Sequence, residues 1–294
     1  MNYNKWLKLN TKDLSGKTVA VTGTTGGLGR ELVRFLCQLH ADIVLLDRNA
    51  ERSSAFEKEL VSDYPNVKVN RITVDLEDFD SVKSAVEMLK QLPIDVLIHN
   101  AGAYSIPRHK CSTGFDNVFQ INFVSPLYIV RELLPNLRQR KAKVVAVGSI
   151  AHNYSKTDPN DIDFTSRTAS SKVYGNAKRH LMFSLYELFK DETDVTLSIV
   201  HPGITFTNIT AHYPKLIFAV IKNPMKIIFM KPKKAALSLL KGVFESTSYH
   251  TWIGPKIFNI WGLPELKKLC TVSAEESLYI GKTADEIYEK LKSK

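Results

Sequence analysis

The sequence predicts an α/β fold in which helices cover both faces of a doubly wound parallel sheet. Short β-branched runs recur along the chain, and each of the first four is followed by a longer segment with helical periodicity. The strand runs are nearly continuously apolar, which is typical of strands buried between two layers of helices. No linker, repeat or low-complexity segment divides the sequence. We therefore expect a single domain over residues 1–294.

The predicted elements alternate in the order that a parallel sheet requires. The four strand–helix pairs are KTVAVTG with GRELVRFLCQL, DIVLLD with ERSSAFEKELV, VKVNRITVD with FDSVKSAVEMLKQL, and IDVLIHN with a helix through VFQINFVSPLYIVRELL. Two further strands, KVVAVGS and VTLSIVHP, enclose the helical stretch TASSKVYGNAKRHLMFSLYELFK. Beyond a variable segment at about 204–234, KKAALSLLKGVF predicts a helix and YHTWIGPK a short strand and turn. A C-terminal helical extension at about 264–294 contains a helix that opens with a capping box from Ser273 to Glu276.

Composition excludes several classes of protein. The chain is 44% hydrophobic and 24% charged, which is ordinary for a globular protein. Its three cysteines lie far apart without metal-ligand spacing, which favours reduced thiols and a cytoplasmic protein. The N-terminus lacks the pattern of a secretory signal, and no stretch reaches the length of an apolar membrane span. The formal charge is +10, but most basic residues are interspersed with acids, so we expect no nucleic-acid partner.

A glycine-rich turn follows the first strand. TGTTGGLGRELV places Gly23, Gly27 and Gly29 between a strand and a helix. Glycines there allow a tight turn and let backbone N–H groups approach a pyrophosphate, while the helix presents its positive N-terminus. A plain glycine-rich turn is the simpler alternative, but the order strand, turn, helix favours a dinucleotide site.

Two charged residues at the end of the second strand bear on the choice of coenzyme. Asp47 follows Gly29 at the distance where an acid can hydrogen-bond the hydroxyls of the adenosine ribose, which favours NAD. Arg48 opposes this preference, because a guanidinium could bind the 2′-phosphate of NADP. We expect NAD or NADP, with NAD favoured.

Four tyrosines stand four residues before a lysine, in YPNVK, YGNAK, YELFK and YEKLK. Such a pair shares one helix face and can transfer protons. Proline after Tyr64 indicates a turn, Tyr288 is near the C-terminus, and Tyr186 lies further along the helix that carries Tyr174. Only Tyr174 follows a serine at a strand end, Ser149. The pair Tyr174–Lys178 is therefore the candidate for chemistry.

From about Ser15 to about Thr207 the chain resembles the short-chain dehydrogenase/reductase family, which has a Rossmann-type fold. The family's TGxxxGxG motif matches Thr22, Gly23, Gly27 and Gly29. Its NNAG motif appears as HNAG, with His99 in place of the first asparagine. Its PG motif matches Pro202 and Gly203, followed by Thr207. The long insertion before Tyr174 resembles the retinol-dehydrogenase-like branch, which mostly handles lipophilic alcohols, aldehydes and ketones.

The resemblance implies a set of site residues. The catalytic residues are Asn122, Ser149, Tyr174 and Lys178. The cofactor-binding residues are Thr22, Gly23, Gly27, Leu28, Gly29, Asp47, Arg48, Asp75, Leu76, Asn100, Ala101, Gly102, Tyr174, Lys178, Pro202, Gly203 and Thr207. No metal is implied.

The expected reaction interconverts a hydrophobic alcohol and its aldehyde or ketone by hydride transfer. Tyr174 is expected to act as general acid/base, with a pKa lowered by the ammonium of Lys178, and Ser149 to hydrogen-bond the substrate oxygen. The resemblance implies that Lys178 also holds the nicotinamide ribose and that Asn122 holds a water linked to Lys178. It further implies a homo-oligomer.

Two other functions remain open at this point. One is a nucleotide-sensing or membrane-associated binding protein without turnover, against which the complete catalytic set argues. The other is epimerase or dehydratase chemistry on nucleotide sugars, for which the C-terminal part is too short. Residues 214–234 carry six lysines, no acids and apolar clusters. This segment is expected to line a hydrophobic pocket, to rest on an anionic membrane surface as a peripheral contact, or to form an ordinary solvated lid.

Overall fold

A computed structural model describes residues 3–204 and 230–293 of the chain. Eight strands form one sheet in the order β3-β2-β1-β4-β5-β6-β7-β8. β1 to β7 are parallel, and β8 pairs antiparallel with β7. The strands are β1 Thr18–Thr22, β2 Asp42–Asp47, β3 Val69–Thr73, β4 Ile94–His99, β5 Lys143–Val147, β6 Thr196–Val200, β7 Thr251–Ile257 and β8 Trp261–Lys268. The predicted doubly wound α/β fold is confirmed.

Helices cover both faces of this sheet. They are α1 Tyr3–Asn10, α2 Gly27–Gln38, α3 Ala50–Asp63, α4 Phe79–Leu89, α5 Ser125–Gln139, α6 Ser170–Leu188, α7 Pro232–Phe244 and α8 Ala274–Lys292. One apolar core joins the sheet to α4, α5, α6 and α8, and the other joins it to α1, α2, α3 and α7. Alternate residues of a strand feed the two cores, as Leu97 and Ile98 of β4 do. The near-continuous apolar runs of the sequence reflect this double burial.

Three features differ from the elements expected from sequence. The N-terminal helix α1 was not expected, and Trp6 anchors it in the core. The C-terminal helix begins at Ala274 with Ser273 as its N-cap, as expected, but the first residues of the expected helical extension at about 264–294 belong to the unexpected strand β8. The helix expected through VFQINFVSPLYIVRELL begins with a short turn, Asn117–Phe119, and a π-helical turn, Gln120–Val124, before α5.

The parallel strands bring distant parts of the sequence to one edge of the sheet. β1, β2, β4, β5 and β6 all end at this edge. The expected substrate-covering segment at 204–234 lies outside the described residues except at its two ends, and so does Thr207. Most of the basic stretch 214–234 is likewise outside them.

Candidate active site

A cleft of about 650 Å³ opens at the carboxyl ends of the parallel strands. It is lined by the glycine turn, by the ends of β2, β4 and β5, by α6, and by residues 201–204. Of the described residues expected to bind coenzyme or substrate, all but Asn122 line this cleft directly. The topology explains why the cleft lies at this edge, because ligands of open parallel sheets bind where the strand order reverses. Here the reversal falls between β1 and β4.

The glycine turn is shaped by close backbone contacts. Gly23 has a φ of +71°, a conformation that L side chains rarely adopt. A Cβ on Gly29 would lie 2.2 Å from the carbonyl oxygen of Gly23, so only glycine fits at that position. The turn leads directly into α2, whose first residues, Gly27, Leu28 and Gly29, line the cleft, and the first N–H groups of a helix have no partner within it. This cradle fits the pyrophosphate of a dinucleotide coenzyme.

Asn100 holds the glycine turn from the neighbouring strand. Its amide nitrogen Nδ2 donates hydrogen bonds to the carbonyl oxygens of Thr22 (2.9 Å) and Gly23 (3.0 Å). The hydroxyl of Thr22 accepts hydrogen bonds from the backbone N–H groups of Asn100 and Ala101, both at 3.0 Å. The HNAG segment and the glycine turn thus form one hydrogen-bonded unit. His99 lies buried behind this unit and does not line the cleft.

Asp47 is engaged within the protein. Its carboxylate accepts hydrogen bonds from the hydroxyl of Thr24, from the backbone N–H (3.1 Å) and hydroxyl (3.3 Å) of Thr25, and from the hydroxyl of Ser53 (3.0 Å). Asp47 is only 3% exposed. Both carboxylate oxygens therefore fix the glycine turn to β2 and α3, a role that its position in the sequence did not suggest.

Two arginines lie beside Asp47 at the rim of the cleft. Arg48 and Arg52 are both exposed and line the cleft. Within residues 3–204 and 230–293, neither guanidinium has an ion-pair partner. Arg52 was not identified from the sequence, although its position in the first turn of α3 places it close to Arg48. Asp75 and Leu76 line the cleft nearby, as expected.

Ser149, Tyr174 and Lys178 converge at the other end of the cleft. Ser149 caps a 3-10 turn over Ile150–Asn153, and its hydroxyl accepts a hydrogen bond from the backbone N–H of Ala151 at 3.2 Å. Tyr174 lies near Ser149 in the cleft. The ammonium of Lys178 lies 5.7 Å from the centre of the Tyr174 ring and donates a hydrogen bond to the carbonyl oxygen of Val147 at 2.9 Å. The serine and the Tyr–Lys pair are therefore brought together as expected.

Asn122 lies behind this group in the π-helical turn. Its Nδ2 donates hydrogen bonds to the carbonyl oxygens of Ala103 and Val118, both at 2.8 Å. Its Oδ1 is buried with no hydrogen-bond partner among the described residues. A Cβ on Gly102 would lie 2.7 Å from this oxygen and 3.6 Å from the Lys178 nitrogen, so both polar atoms face the same small space. π-turns often accompany functional positions, and this one turns Asn122 toward Lys178.

Burial controls the protonation of the pair. It raises the pKa of Tyr174 to about 12, although the nearby Ser149 hydroxyl opposes the shift. It lowers the pKa of Lys178 to about 7. The direction for Tyr174 is opposite to the expected lowering by the ammonium, because loss of hydration on burial has the largest influence on this pKa. At neutral pH Tyr174 is the neutral phenol.

The other three Tyr–Lys pairs have structural surroundings. The hydroxyl of Tyr186 donates a hydrogen bond to the carbonyl oxygen of Thr251 at 2.6 Å. The hydroxyl of Tyr288 donates one to Glu132 at 2.8 Å. Tyr64 stands at the C-terminal end of α3 and accepts a hydrogen bond from Gln38. None of these three tyrosines lines the cleft.

Apolar and aromatic side chains line the part of the cleft next to Tyr174. They include Tyr104, Ile106, Ile150 and Tyr154. The rings of Tyr104 and Tyr174 meet edge to face, with their centres 5.3 Å apart. Only their positions, shortly after the HNAG motif and after Ser149, could have indicated these residues from the sequence. At the remaining wall, Pro202 and Gly203 line the cleft, and a Cβ on Gly203 would lie 2.7 Å from the carbonyl oxygen of Ile260.

Comparison with known proteins decides the family. The sequence model of the short chain dehydrogenase family matches residues 17–215. The chain belongs to the short-chain dehydrogenase family. It is accordingly an NAD(P)-dependent dehydrogenase/reductase, and the expected resemblance is confirmed.

Individual relatives and structures agree with this assignment. The chain is 27% identical over 215 residues to the chloroplastic short-chain dehydrogenase TIC 32 A of Brassica napus, covering 68% of this chain and 67% of the relative. It is 30% identical over 202 residues to retinol dehydrogenase 12 of Mus musculus, covering 67% of this chain and 64% of the relative. The fold is similar to the crystal structure of an uncharacterized protein from Mycobacterium paratuberculosis, with a TM-score of 0.76, 20% identity and 96% of each chain covered.

Among the described residues, the helices are too short or too polar to span a bilayer.

Proposed function

We propose that this protein interconverts a hydrophobic alcohol and its aldehyde or ketone by hydride transfer with NADP(H), using Tyr174 as general acid/base. The observation that carries the proposal is the convergence of Ser149, Tyr174 and Lys178 on an apolar stretch of the cleft that continues into the glycine turn. A bound nicotinamide coenzyme supplies or accepts the hydride. The protein positions the reactants and moves the proton.

Each catalytic side chain has a role that its position supports. Tyr174 donates its phenolic proton to a carbonyl oxygen during reduction, for which its raised pKa supplies the protonated form at neutral pH. Ser149 donates a hydrogen bond to the same oxygen as negative charge develops there. Lys178 holds the nicotinamide ribose and, when protonated, stabilises the phenolate left on Tyr174. Asn122 Oδ1 and Lys178 hold a water between them, which returns a proton toward Tyr174.

Apolar lining supports a lipophilic substrate. Tyr104, Ile106, Ile150 and Tyr154 surround the approach to the Tyr174 hydroxyl. A substrate with a hydrophobic body and a single reactive oxygen would bury its body against these side chains and leave its oxygen to Ser149 and Tyr174. The similarity to retinol dehydrogenase 12 points to the same class of substrate.

The surroundings of Asp47 support NADP(H) over NAD(H). The preference for NAD expected from sequence assumed a carboxylate available to the ribose hydroxyls. Both oxygens of Asp47 are instead hydrogen-bonded to Thr24, Thr25 and Ser53. The exposed guanidinium groups of Arg48 and Arg52 are in position to pair with a 2′-phosphate, for which arginine is well suited.

Replacing Arg48 by Gln tests the coenzyme proposal. A hydrogen bond to a charged group contributes about 1.5–3 kcal/mol, so we expect the Kd of NADPH to rise about 10- to 100-fold. The Kd of NADH should stay within about threefold, since NADH has no 2′-phosphate. Fluorescence titration with each coenzyme measures both values. Wild-type protein that binds NADH more tightly than NADPH would contradict the proposal, and Lys68→Gln, at an exposed lysine, is the control.

A binding protein without turnover is the second candidate, and the first experiment separates it from the enzyme. NADPH oxidation would be followed with a long-chain aliphatic aldehyde and, as a polar comparison, a sugar carbonyl. Turnover of the aldehyde supports the proposed reaction. Saturable NADPH binding without turnover of any carbonyl would favour the binding protein.

The oligomeric state and the cellular location of the protein remain predictions. We propose a homo-oligomer, to be tested by light scattering, and a cytoplasmic protein that contacts membranes peripherally through residues 214–234. Pelleting with anionic vesicles at low and high salt tests the contact, because binding through lysines should fall as salt rises. If the protein does not pellet with the vesicles at low salt, the proposed membrane contact is wrong.

A further inference from the structure

Glu276, in the first turn of the C-terminal helix α8, forms an ion pair with Arg179 of α6. Its Oε2 accepts a hydrogen bond from Arg179 Nη2 at 2.6 Å, and its Oε1 accepts one from Arg179 Nε at 2.7 Å. Arg179 directly follows Lys178 on α6. The side chains of Arg179 and Glu276 are only 9% and 13% exposed. This is a two-point, largely buried ion pair, the strongest geometry for an arginine and a carboxylate.

The same ion pair extends to the turn that carries Ser149. Arg179 Nη1 donates a hydrogen bond to the carbonyl oxygen of His152 at 2.8 Å. The ring nitrogens of His152 lie 2.6 Å from the carbonyl oxygen of Ser149 and 3.0 Å from that of Cys270. The residues just before α8 and the first turn of α8 thus both reach the Ser149 turn.

Glu276 also holds the beginning of the insertion before Tyr174. Its Oε1 accepts hydrogen bonds from the backbone N–H (3.0 Å) and hydroxyl (3.1 Å) of Thr157. Three residues earlier, Tyr154 lines the cleft. Glu276 therefore connects α6, the Ser149 turn and one wall of the substrate cleft.

This use of Glu276 differs from its expected role in a capping box. The backbone N–H of Glu276 does donate a hydrogen bond to Ser273 Oγ at 3.2 Å, so the first half of the box is present. The carboxylate instead pairs with Arg179 and Thr157, and these partners hold the pKa of Glu276 at about 2 even though burial opposes the shift. The charge is thus in place throughout the neutral range.

We propose that Arg179 and Glu276 are positioning residues, which fix Ser149 relative to Tyr174 and, through Thr157, hold the segment that carries Tyr154 into the cleft. This proposal rests on the proposed reaction for its catalytic consequence. Small displacements of a catalytic group reduce turnover strongly, because the reacting atoms must meet in one geometry. Coenzyme binding depends on the glycine turn and Asn100, which Glu276 does not touch, so it should be unaffected.

Glu276→Gln tests the proposal with a side chain of the same shape. The amide NH₂ would face an N–H of Arg179, so the two-point pair is lost. We expect kcat to fall about 10- to 100-fold and the Kd of NADPH to stay within twofold. Hydrogen exchange in peptides covering residues 149–157 should speed up. If Glu276→Gln does not fold, Arg179→Lys is the second variant. It keeps the positive charge but loses the planar guanidinium, and it should show the same fall in kcat, the same NADPH binding and the same faster exchange.

Asp285→Asn is the matched control. Asp285 is also on α8 and pairs with Arg131 of α5, but it touches neither the Ser149 turn nor Thr157. This variant should keep wild-type turnover and exchange. Equal losses in both α8 variants, or a kcat of Glu276→Gln within twofold of wild type, would overturn the proposal. If the wild type reduces no carbonyl, the proposed reaction fails, and the exchange comparison alone decides whether Glu276 holds the turn.

Discussion

The two ends of the cleft are held in place by different kinds of contact. At the coenzyme end, Asn100 and Thr22 join the glycine turn to the neighbouring strand through short hydrogen bonds within the family's own motifs. At the catalytic end, the Ser149 turn is supported by Arg179 and by the C-terminal residues Cys270 and Glu276, which lie far away in the sequence. Coenzyme binding and catalysis should therefore be separable by mutation.

Two glycines offer a direct comparison of these ends. A Cβ on Gly29 would lie 2.2 Å from the carbonyl oxygen of Gly23, and a Cβ on Gly175 would lie 2.2 Å from that of Ala151. In each case the obstacle is backbone, which cannot move aside without distorting its own region. The first contact is in the coenzyme end and the second is between α6 and the Ser149 turn.

Of the two glycine substitutions, Gly29→Ala should have the larger effect. The turn must open to accept the methyl group, so we expect the Kd of NADPH to rise at least about 100-fold and the melting temperature to fall. Gly26→Ala is the control for folding, because its Cβ would be 3.6 Å from the nearest atom, an ordinary contact. NADPH binding by Gly29→Ala within threefold of wild type, measured by fluorescence titration, would contradict the proposed cradle.

Gly175→Ala should have a smaller effect of a different kind. Displacement of the Ser149 turn should lower kcat about 10- to 100-fold, while NADPH binding stays within about threefold of wild type. Steady-state kinetics and a coenzyme titration on the same preparation separate the two quantities. Gly281→Ala in α8 is the control, since its Cβ meets only the flexible side chain of Glu187 at 3.4 Å. Loss of NADPH binding in Gly175→Ala would show that the two ends are not independent.

Lys178→Met should stabilise the fold while removing activity. Lys178 is 2% exposed, and burial lowers its pKa from 10.5 to about 7. Below pH 7 the folded protein keeps a buried charge, which lowers the free energy of unfolding. Above pH 7 the folded form loses the proton before the unfolded form does, so wild-type stability increases as the pH rises toward 10.5.

The variant should therefore exceed wild type by about 1–3 kcal/mol at pH 6, and this difference should shrink by pH 9. Thermal or urea unfolding at both pH values measures it. A variant less stable than wild type at pH 6 would mean that the hydrogen bond to Val147 and contacts of the ammonium outweigh its burial. Lys172→Met, at an exposed lysine on the same helix, should show no such pH dependence.

The sequence predicted the coenzyme end better than the catalytic end. Strand, turn and helix around Gly23, Gly27 and Gly29 are local features, and the sheet topology places them as expected. Motif order and position at a strand end also selected Ser149 and Tyr174, and both lie in the cleft. The roles of Asp47 and Glu276 were not predicted, since each depends on which side chains fold against it.

Two other differences between the prediction and the structure also arise from contacts that form only in the folded protein. β8 contains Pro264 and charged residues, and it becomes a strand only because β7 is available for pairing. The pKa of Tyr174 depends on burial by residues from several elements, so the spacing YGNAK alone gave the wrong direction. Local pattern thus predicts elements and motif positions, whereas side-chain partners and hydration are set by the tertiary structure.

Turnover by Tyr174→Phe would show whether Tyr174 transfers the proton at this site. We expect the variant to bind NADPH as wild type does and to lose about 10²- to 10⁴-fold in kcat with a long-chain aldehyde, because the hydroxyl that donates the proton is absent. Wild-type turnover in this variant would show that another side chain of the cleft is the proton donor.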